Sequence, residues 1–501
     1  MSETRATTNA GPTPDDAEVR KTLEEAARIV GPDRVLLPEE GARPGLLGPN
    51  TSVFRSRRMN GVVRPATVEQ VREVVAAFGR TPEAGSLHAI STGRNWGLGS
   101  HEPAQDDVVV LDLRDLDRIR TLDLDGGWAV IEPGVTQGVL SQRLADTGRM
   151  VNVTVSAAAT SVIGNALDRG VGLRQQRVDD LIGLEVALPG GELVHVGWWP
   201  DADRTTPVYP HGLGPSALPL FLQSNLGVVT AAVVRLLPRP EALRLVRLGF
   251  RPAELGRVTD LLRRWVGQGL TRGVPRVYDP AAAASYGGRD GEFLVHICVD
   301  GTPGAVGALV AEIVAGAHGS GLFTDVAHEE ATDTSRPDHA VAALVERAYA
   351  GDPDVTDALF EAKLGQSADQ VDERVGFLFF LPLLPFDARA VERADGLLGR
   401  VREETGVRCS ATLHLLGPDL IDCVVALKFD RDSGEGARQA HRALELMYRW
   451  YGEAGFLPYR LDIDHAHRMD DFAVDPNALA LTRKLKNVID PNNAIAAGRY
   501  R

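Results

Sequence analysis

The chain has 501 residues, which is too long for one small domain and predicts two or three packed substructures. Its composition, with 44% hydrophobic and 24% charged residues, is typical of a globular protein. The formal net charge of −14 disfavours a polyanion such as nucleic acid as a partner.

The chain begins with a short polar segment that a helix follows. Residues 1–16 carry too little apolar surface to offset the cost of ordering them, so we expect a disordered tail there. Apolar residues recur at helical spacing from Asp16 to Val30, and we assign 17–57 to an N-terminal helical extension. The first residues lack the apolar core of a signal peptide, and no run of about 18 apolar residues occurs. We therefore expect a cytoplasmic protein with no membrane partner.

Residues 58–240 alternate short apolar runs with helical stretches and glycine turns. The pattern predicts a strand at GVVRP, a helix at TVEQVREVVAAFGR, and strands at LHAIST, VVVLDL and WAVIEPGV. Residues 179–197 predict a hairpin with Pro189, Gly190 and Gly191 at its tip. The prolines at the end of LLPRP mark a boundary.

The rest of the chain predicts a second α+β block and a short tail. Residues 241–455 carry strand candidates separated by long helical patterns: LRLVRLGF, EFLVHICVD, VGFLFFLPLL and LIDCVVALKFD. We expect this block to be a cap domain. Residues 456–501 predict a strand from Tyr459, a helix near NALALTRKLKNVID and a terminal loop.

The cysteines exclude two kinds of site. Cys298, Cys409 and Cys423 are the whole complement and form no C-x-x-C spacing, so neither a disulfide framework nor a Cys-rich metal site can be built. His465 and His467 lack a further set of ligands nearby, and we expect no metal. A reducing compartment fits this composition.

Two glycine-rich segments are candidates for binding phosphate. ISTGRNWGLGS follows a predicted strand, and its glycines would let backbone amides approach an anion closely. Its spacing matches neither the Rossmann fingerprint nor a P-loop, so a Rossmann NAD site or P-loop NTPase is not supported. SAAATSVIGNA leads into a second such stretch. Two loops of small residues suit a long diphosphate ligand; ordinary turns and close helix packing are the alternatives.

Seven segments occur in the same order as in a known family: RPATVEQV, ISTGRNWGLGS, VIEPGVTQGVL, SVIGNALDRGVG, QSNLGVVT, YRLDID and IDPNNAIAAGRY. Over residues 58–501 the chain resembles the FAD-linked oxidases related to vanillyl-alcohol oxidase and para-cresol methylhydroxylase. The resemblance implies an α+β fold, with a two-subdomain FAD-binding domain of the para-cresol methylhydroxylase type. That domain would comprise 58–240 and the returning segment 456–501, and the α+β cap, 241–455, would cover the flavin ring.

By that resemblance, residues from several stretches would hold FAD. In the first loop they are Thr92, Gly93, Arg94, Asn95, Trp96, Gly97, Gly99 and Ser100. A second set comprises Pro65, Pro133, Gly134, Ser156, Thr160, Ser161, Gly164, Asn165 and Gly170. The opposite wall would be Gly227, Val228 and Val229, with Arg499 closing the cleft. A structural role is the alternative for each side chain.

The sequence departs from the family where flavin is attached covalently. The family usually places a nucleophilic residue just before an LFFSP-like strand, and Phe377 stands there in this chain. The first loop offers Trp96 and Leu98, and a family aspartate linked to flavinylation falls at Ser156. We therefore expect FAD to be held without a covalent bond.

A second departure concerns the substrate. Family members that oxidise para-substituted phenols hold the phenolate with two tyrosines and an arginine, which stabilise the anion. This chain keeps Tyr459 and Arg460, whereas Leu98 replaces the other tyrosine. A carboxylate, an amide or another polar head group could use the remaining pair.

Further catalytic candidates follow this pair. On a strand, Arg460, Asp462 and Asp464 would share one face, with His465 on the other. Carboxylates beside an arginine could orient an amine or act as a base, and plain ion pairs are the alternative. The remaining candidates are His414 on a predicted cap strand, where a core histidine is the alternative, and Asp179 near the implied flavin ring.

Together these features predict an FAD-dependent oxidoreductase that takes a hydride from a small organic substrate. A phenol-like, alcohol or amine- or amino-acid-derived compound would serve, and oxygen or an acceptor protein would reoxidise the flavin. Two alternatives stay open: a flavoenzyme of this fold doing oxidative cyclisation or net non-redox chemistry, and a binder that has lost catalysis. A homodimer is compatible with the resemblance.

Overall fold

The computed structural model describes residues 14–38, 52–99, 101–203, 206–329, 336–352, 354–371, 375–472 and 475–500. The tail predicted at 1–16 lies almost wholly outside the described residues, and Ser100 lies outside them too.

The helices within the described ranges alternate with strands through most of the chain. They are α1 (Asp16–Val30), α2 (Val68–Arg80), α3 (Gln137–Arg143), α4 (Val162–Leu167), α5 (Leu255–Gly267), α6 (Pro280–Ala283), α7 (Pro303–Ser320), α8 (His339–Tyr349), α9 (Asp354–Leu364), α10 (Ala388–Thr405), α11 (Gly434–Glu453) and α12 (Pro476–Ile489). None of the helices described is long and apolar enough to cross a membrane.

The strands begin in the N-terminal extension and end before α11. They are β1 (Val35–Leu36), β2 (Met59–Val63), β3 (Leu87–Ile90), β4 (Val108–Asp112), β5 (Ile119–Asp123), β6 (Trp128–Ile131), β7 (Arg149–Met150), β8 (Leu181–Ala187), β9 (Leu193–Gly197), β10 (Val228–Arg235), β11 (Leu237–Pro238), β12 (Ala242–Phe250), β13 (Arg276–Tyr278), β14 (Phe293–Gly301), β15 (Phe323–Ala327), β16 (Gly376–Phe380), β17 (Leu383–Pro385), β18 (Arg408–Leu415) and β19 (Leu420–Phe429).

Three larger sheets organise these strands. The first has the order β1-β2-β4-β3, and β2, β4 and β3 run parallel. The second is antiparallel, with the order β5-β6-β10-β8-β9. The third runs β15-β12-β14-β13-β18-β19-β16, and β17 also pairs with β19. A small sheet joins β7 to β11.

The chain's end returns to the first sheet. The amide of Leu87 in β3 donates to the carbonyl of Ala494 at 2.7 Å, and the amide of Ala496 donates to the carbonyl of Leu87 at 2.7 Å. The Lys486 ammonium binds the Asp490 carboxylate and the Ile495 carbonyl, which holds the loop after α12 in place. Residues 494–496 therefore lie beside β3, far away in sequence.

Other parts of the chain pack against both faces of the third sheet. One face carries Val246, Val277 and Leu413, which pack in one cluster with side chains of α5, α10 and α11. The other face carries Tyr278 and Leu294, which pack with residues of the second sheet. This second face is therefore turned toward the part of the chain that precedes β12.

Most predicted elements are confirmed. The helix at Asp16–Val30, the strands at GVVRP and LHAIST, the hairpin of β8 and β9, and the cap strands all form. The strand predicted from Tyr459 is wrong, because residues 459–465 turn instead. The Asp462 carboxylate accepts hydrogen bonds from the amides of Asp464 and His465, and this local capping competes with an extended chain.

Candidate functional site

A cavity of about 240 Å³ lies where four distant parts of the chain meet. They are the loop after β3, the start of α4, the start of β10 and the C-terminal segment. The predicted residues that line it are Thr92, Gly93, Arg94, Asn95, Gly99, Pro133, Thr160, Ser161, Gly164, Asn165, Gly227, Val228, Val229, Arg460 and Arg499. The fold therefore brings these residues together around one cavity. Their contact with a cofactor stays a prediction.

The loop after β3 needs its glycines. Gly93, Gly97 and Gly99 have φ angles of 68°, 81° and 131°, a region that side chains disfavour. A Cβ on Gly99 would lie 2.4 Å from Ile463, and one on Gly97 would lie 2.6 Å from the Phe379 ring. The loop can follow this path, with its backbone close to the cavity, only because these positions lack side chains.

The opposite loop is fixed by one serine. The Ser161 hydroxyl accepts a hydrogen bond from the Gly164 amide at 3.0 Å and donates to the Pro133 carbonyl at 2.6 Å. It thereby caps the first turn of α4. A Cβ on Gly164 would lie 2.5 Å from the Ser91 hydroxyl, so the two loops approach closely here.

In the cavity lining, the Asp168 carboxylate contacts polar side chains from three separate segments of the chain. Its carboxylate forms an ion pair with Arg460 and accepts a hydrogen bond from the Tyr500 hydroxyl at 2.8 Å. Arg460 also donates to the Asn95 side chain at 3.1 Å. Burial alone would raise the pKa of Asp168, but Arg460, Arg499 and Tyr500 outweigh it and hold that pKa below its usual value. Asp168 is therefore ionised at neutral pH.

The wall near the C-terminus is electropositive. Burial, and then the charge of Arg499, lower the pKa of His88 to about 3, so this histidine is neutral. Arg499 itself is 9% exposed, and burial opposes its charge, yet Tyr500 and Asp168 raise its pKa. A fixed cation thus lines the cavity beside glycine-rich backbone.

Two buried polar atoms at this site have no hydrogen-bond partner in the described chain, namely Nε of Arg460 and Oδ1 of Asn165. Such atoms are costly unless a ligand satisfies them. Together with Arg499 and the close glycine backbone, they fit a polar, anionic ligand that runs between the two loops. The fold and the site thus fit a protein that binds an extended, anionic ligand such as a dinucleotide.

Several predicted cofactor residues do not line the cavity. Trp96 stacks on Phe360 at 4.8 Å, in an aromatic cluster that also contains Phe377. Ser156 exchanges hydrogen bonds with Thr154 and Thr160. The others outside the lining are Pro65, Gly97, Gly134 and Gly170. The predicted cofactor contacts of these residues are therefore not supported by the lining of this cavity.

The predicted catalytic residues separate into different environments. Arg460 lines the cavity, whereas Asp464 pairs with Arg57 at 2.6 Å and His465 lies between Asp462 and Glu445. The expectation that Arg460, Asp462 and Asp464 share one strand face is therefore wrong, because the turn sends each in its own direction. Asp179 is exposed in a short turn away from the lining.

Tyr459 and His414 meet at Asp422. The His414 ring lies 3.0 Å from Oδ2 of Asp422, and the Tyr459 hydroxyl lies 3.5 Å from the same oxygen. Burial, and then Asp422, raise the pKa of Tyr459 far above its usual value. Burial, followed by Arg276, lowers the pKa of His414 to about 4. Both groups are therefore uncharged at neutral pH.

Sequence reasoning missed Asp168, His88 and Tyr500 as lining residues. Asp168 stands inside the motif SVIGNALDRGVG, so its position was visible. Its role was not, because Arg460 and Tyr500 reach it only through the fold.

Comparison with known proteins extends this result. Residues 59–197 match the family described as FAD binding domain. A 1'-carboxy-chondrochloren decarboxylase from Chondromyces crocatus is 28% identical, over 90% of this chain and 92% of its own length. The flavoprotein subunit of 4-cresol dehydrogenase [hydroxylating] from Pseudomonas putida is 24% identical, over 96% and 95%. The crystal structure of p-cresol methylhydroxylase with substrate bound superposes with a TM-score of 0.85 at 22% identity, covering 97% of each chain.

Residues 59–197 thus carry an FAD-binding domain, and nearly the whole chain is similar to flavoproteins of the p-cresol methylhydroxylase type. FAD is its cofactor. The expected α+β fold of that family is confirmed.

Proposed function

We propose that this protein oxidises a small organic molecule by removing a hydride from a carbon held beside the flavin. When bound, FAD supplies the hydride acceptor. The observation that carries the proposal is the position of Arg460, which lines the cavity and whose neighbour Tyr459 faces Asp422. The chain's own task is to bind the substrate's head group and to orient its reacting carbon.

The residues at this end can perform that task. Arg460 keeps a fixed charge, and Asp168 and Asn95 hold its guanidinium in place. Its unpartnered Nε remains available for a substrate oxygen. Tyr459 keeps its proton and can donate a hydrogen bond to an anionic or polar head group.

Leu98 supports our proposal for the substrate class. This side chain lines the cavity where phenol-oxidising relatives of the family carry a second tyrosine, so a simple phenolate clamp is incomplete. One relative is named for decarboxylating 1'-carboxy-chondrochloren and another for dehydrogenating 4-cresol, which favours a small aromatic or acid-bearing substrate. Oxidative chemistry in such relatives gives no support to a binder without catalysis.

We also propose that FAD is held without a covalent bond. Phe377 is 1% exposed within its aromatic cluster and Trp96 is stacked, and neither side chain carries a nucleophile. Acid precipitation of the purified protein should release the yellow colour into the supernatant. A pellet that stays yellow after washing would contradict this proposal.

Anaerobic titration tests the redox function. The FAD-loaded protein is mixed with para-alkylphenols, benzylic alcohols, aromatic amines and tyrosine-derived acids, and the visible flavin absorbance is followed. At least one class should bleach the flavin, and Arg460→Gln should slow bleaching at least tenfold, about 1.4 kcal/mol in barrier, with FAD retained. Arg408→Gln is the matched control, because Arg408 is exposed on the third sheet. No bleaching by any class would contradict the proposal.

A further inference from the structure

Five polar residues form a row across the third sheet. In the strand register, Arg247 lies directly opposite His296, and His296 lies opposite Arg276. Arg276 in turn lies opposite His414, and His414 lies opposite Asp422, always on adjacent antiparallel strands. Residues directly opposite in such a ladder share one face. The row therefore crosses five strands, from β12 to β19, on a single face of the sheet.

This face is buried. Arg247, His296, Arg276 and Asp422 are all at most 4% exposed, and His414 is 8% exposed. Tyr278 and Leu294 on the same face pack with the second sheet. A charged row in such a place costs folding free energy unless each group has a partner.

The two ends of the row have partners. Arg247 lies 3.5 Å from the Asp338 carboxylate, and His414 lies 3.0 Å from Asp422. These two contacts provide a partner for the groups at both ends of the row.

The middle of the row does not have them. Arg276 forms no ion pair with any carboxylate in the described ranges, and its Nε has no hydrogen-bond partner; the hydroxyls of Tyr278 and Tyr349 hydrogen-bond with the rest of its guanidinium but carry no charge. Both ring nitrogens of the adjacent His296 are also without partners. Burial, and then the charges of Arg247 and Arg276, lower the pKa of His296 to about 3, so His296 cannot neutralise anything. Arg276 is thus a buried cation whose counter-ion the described chain does not supply.

A second cation strengthens this imbalance. Burial, together with repulsion by the positive charges of Lys428 and then Arg276, lowers the pKa of Lys363 to about 7. The Lys363 side chain therefore lies in the electrostatic field of the Arg276 guanidinium. The Lys363 ammonium lies 4.9 Å from the centre of the Phe379 ring. The field around Arg276 therefore favours an anion.

The row leads to the catalytic end of the cavity. Asp422 lies 3.5 Å from the Tyr459 hydroxyl, and Arg460, the next residue, lines the cavity. Arg276 lies two strands beyond Asp422, which is about 10 Å at ordinary strand spacing. Arg276 and Tyr459 are not among the residues that line the 240 Å³ cavity, and a small organic acid that extends past Arg460 is long enough to span the distance between them.

We propose that Arg276 binds a carboxylate of the substrate, so that the protein acts on a small organic acid whose acid group lies under the third sheet, away from the Tyr459 and Arg460 head-group site. This inference rests on the proposed function and adds the substrate class. The guanidinium presents a planar fork that matches a carboxylate, and the substrate's charge supplies the counter-ion that the chain lacks. His296, with two free ring nitrogens, can donate one further hydrogen bond.

Calorimetric titration of the FAD-loaded protein tests the proposal. The probes are two matched pairs: N-acetyltyrosine against N-acetyltyrosinamide, and phloretate against its primary amide. Each acid should bind at least tenfold more tightly than its amide. In Arg276→Gln that ratio should fall to about one, and Arg276→Lys should restore part of it, because lysine keeps the charge without the fork.

Two controls separate binding from folding. Arg408→Gln removes the same charge from an exposed position of β18 and should leave the acid preference unchanged. Arg276→Gln should melt at the same temperature as the parent protein or higher, since it removes a buried charge without an ion pair, and it should keep its FAD. A lower melting temperature together with an unchanged acid preference would assign Arg276 a purely structural role and overturn the proposal.

Equal affinity for acid and amide, or no binding of either acid, would also overturn it. Flavin bleaching by other substrates would then still support the proposed function. Retained acid preference with no bleaching by any compound would instead support the carboxylate site and contradict the redox function, so the two failures are distinguishable.

Discussion

Asp168 is the residue on which the charged end of the cavity depends. It is 15% exposed at its side chain and neutralises Arg460, while Arg499 and Tyr500 add to the field around it. A buried ion pair of this kind costs more to break than it contributes when formed, because the surviving cation is left without a partner.

Asp168→Asn should therefore destabilise the protein by about 3 kcal/mol, measured as the free energy of unfolding in urea at neutral pH. It should also slow substrate-dependent bleaching, since Arg460 loses the contact that orients it. Asp115→Asn is the matched control: the Asp115 pair with Arg34 is exposed, and its loss should cost at most about 1 kcal/mol. Equal losses in the two variants would show that Asp168 has no special role.

The same carboxylate predicts a pH dependence. Because the pKa of Asp168 is held below its unfolded value of about 3.9, its stabilising contribution is complete above that pH and is lost as the pH falls through the lower folded value. The stability difference between the parent protein and Asp168→Asn should then shrink on going from neutral pH to about pH 3. A stability difference that stays constant with pH would mean that the pKa of the Asp168 carboxylate is not lowered in the folded protein.

At the scale of elements, the loop after β3 joins the two halves of the structure. The carbonyl of Gly97 accepts a hydrogen bond from the Phe379 amide in β16 at 3.0 Å, and the Leu98 carbonyl accepts one from Ile463. The loop that faces the cavity is thus built into the third sheet from behind.

Gly97→Ala should cost about 3 kcal/mol and weaken FAD retention. The new Cβ would combine a positive φ of 81° with a 2.6 Å approach to Phe379. Gly212→Ala is the control, because Gly212 has a φ of 66° and nothing within 4 Å, so only the backbone cost of about 1 kcal/mol applies. Thermal melts and flavin content measure both, and equal effects would rule out the contact with Phe379 as the cause.

At the scale of the whole molecule, the cavity closes only when segments hundreds of residues apart come together. His88, Gly164, Val228 and Arg499 all line it. A ligand that binds this surface therefore stabilises the assembled fold and has little to bind in the unfolded chain.

FAD at one hundred times its dissociation constant should raise the free energy of unfolding by about 2.7 kcal/mol. In calorimetry, the whole protein should unfold in one transition whose melting temperature is higher with FAD than without it. NAD should produce no shift, because the first loop lacks the Rossmann spacing. A shift confined to one of two separate transitions would show that the segments do not fold around the ligand together.

Local signals in the sequence were enough for most of the elements and for the glycine-rich loops. Strand alternation predicted β12, β14 and β19, and Ser161 with Gly164 was found as part of a motif. The turn at residues 459–465 was missed, because the capping by Asp462 overrides the extended pattern.

The amino-acid sequence by itself determined the order of the strands along the chain and the lack of a nucleophile at Phe377, since these depend on residue type and on short-range spacing, while the cofactor class was implied by the resemblance of seven ordered segments to a known family. The tertiary structure decided which charges meet. Asp168 reaches Arg460, and Arg276 comes to stand between His296 and His414, only through strand register and chain return. Such contacts join residues far apart in the chain, and electrostatic energies depend on distance and burial in space.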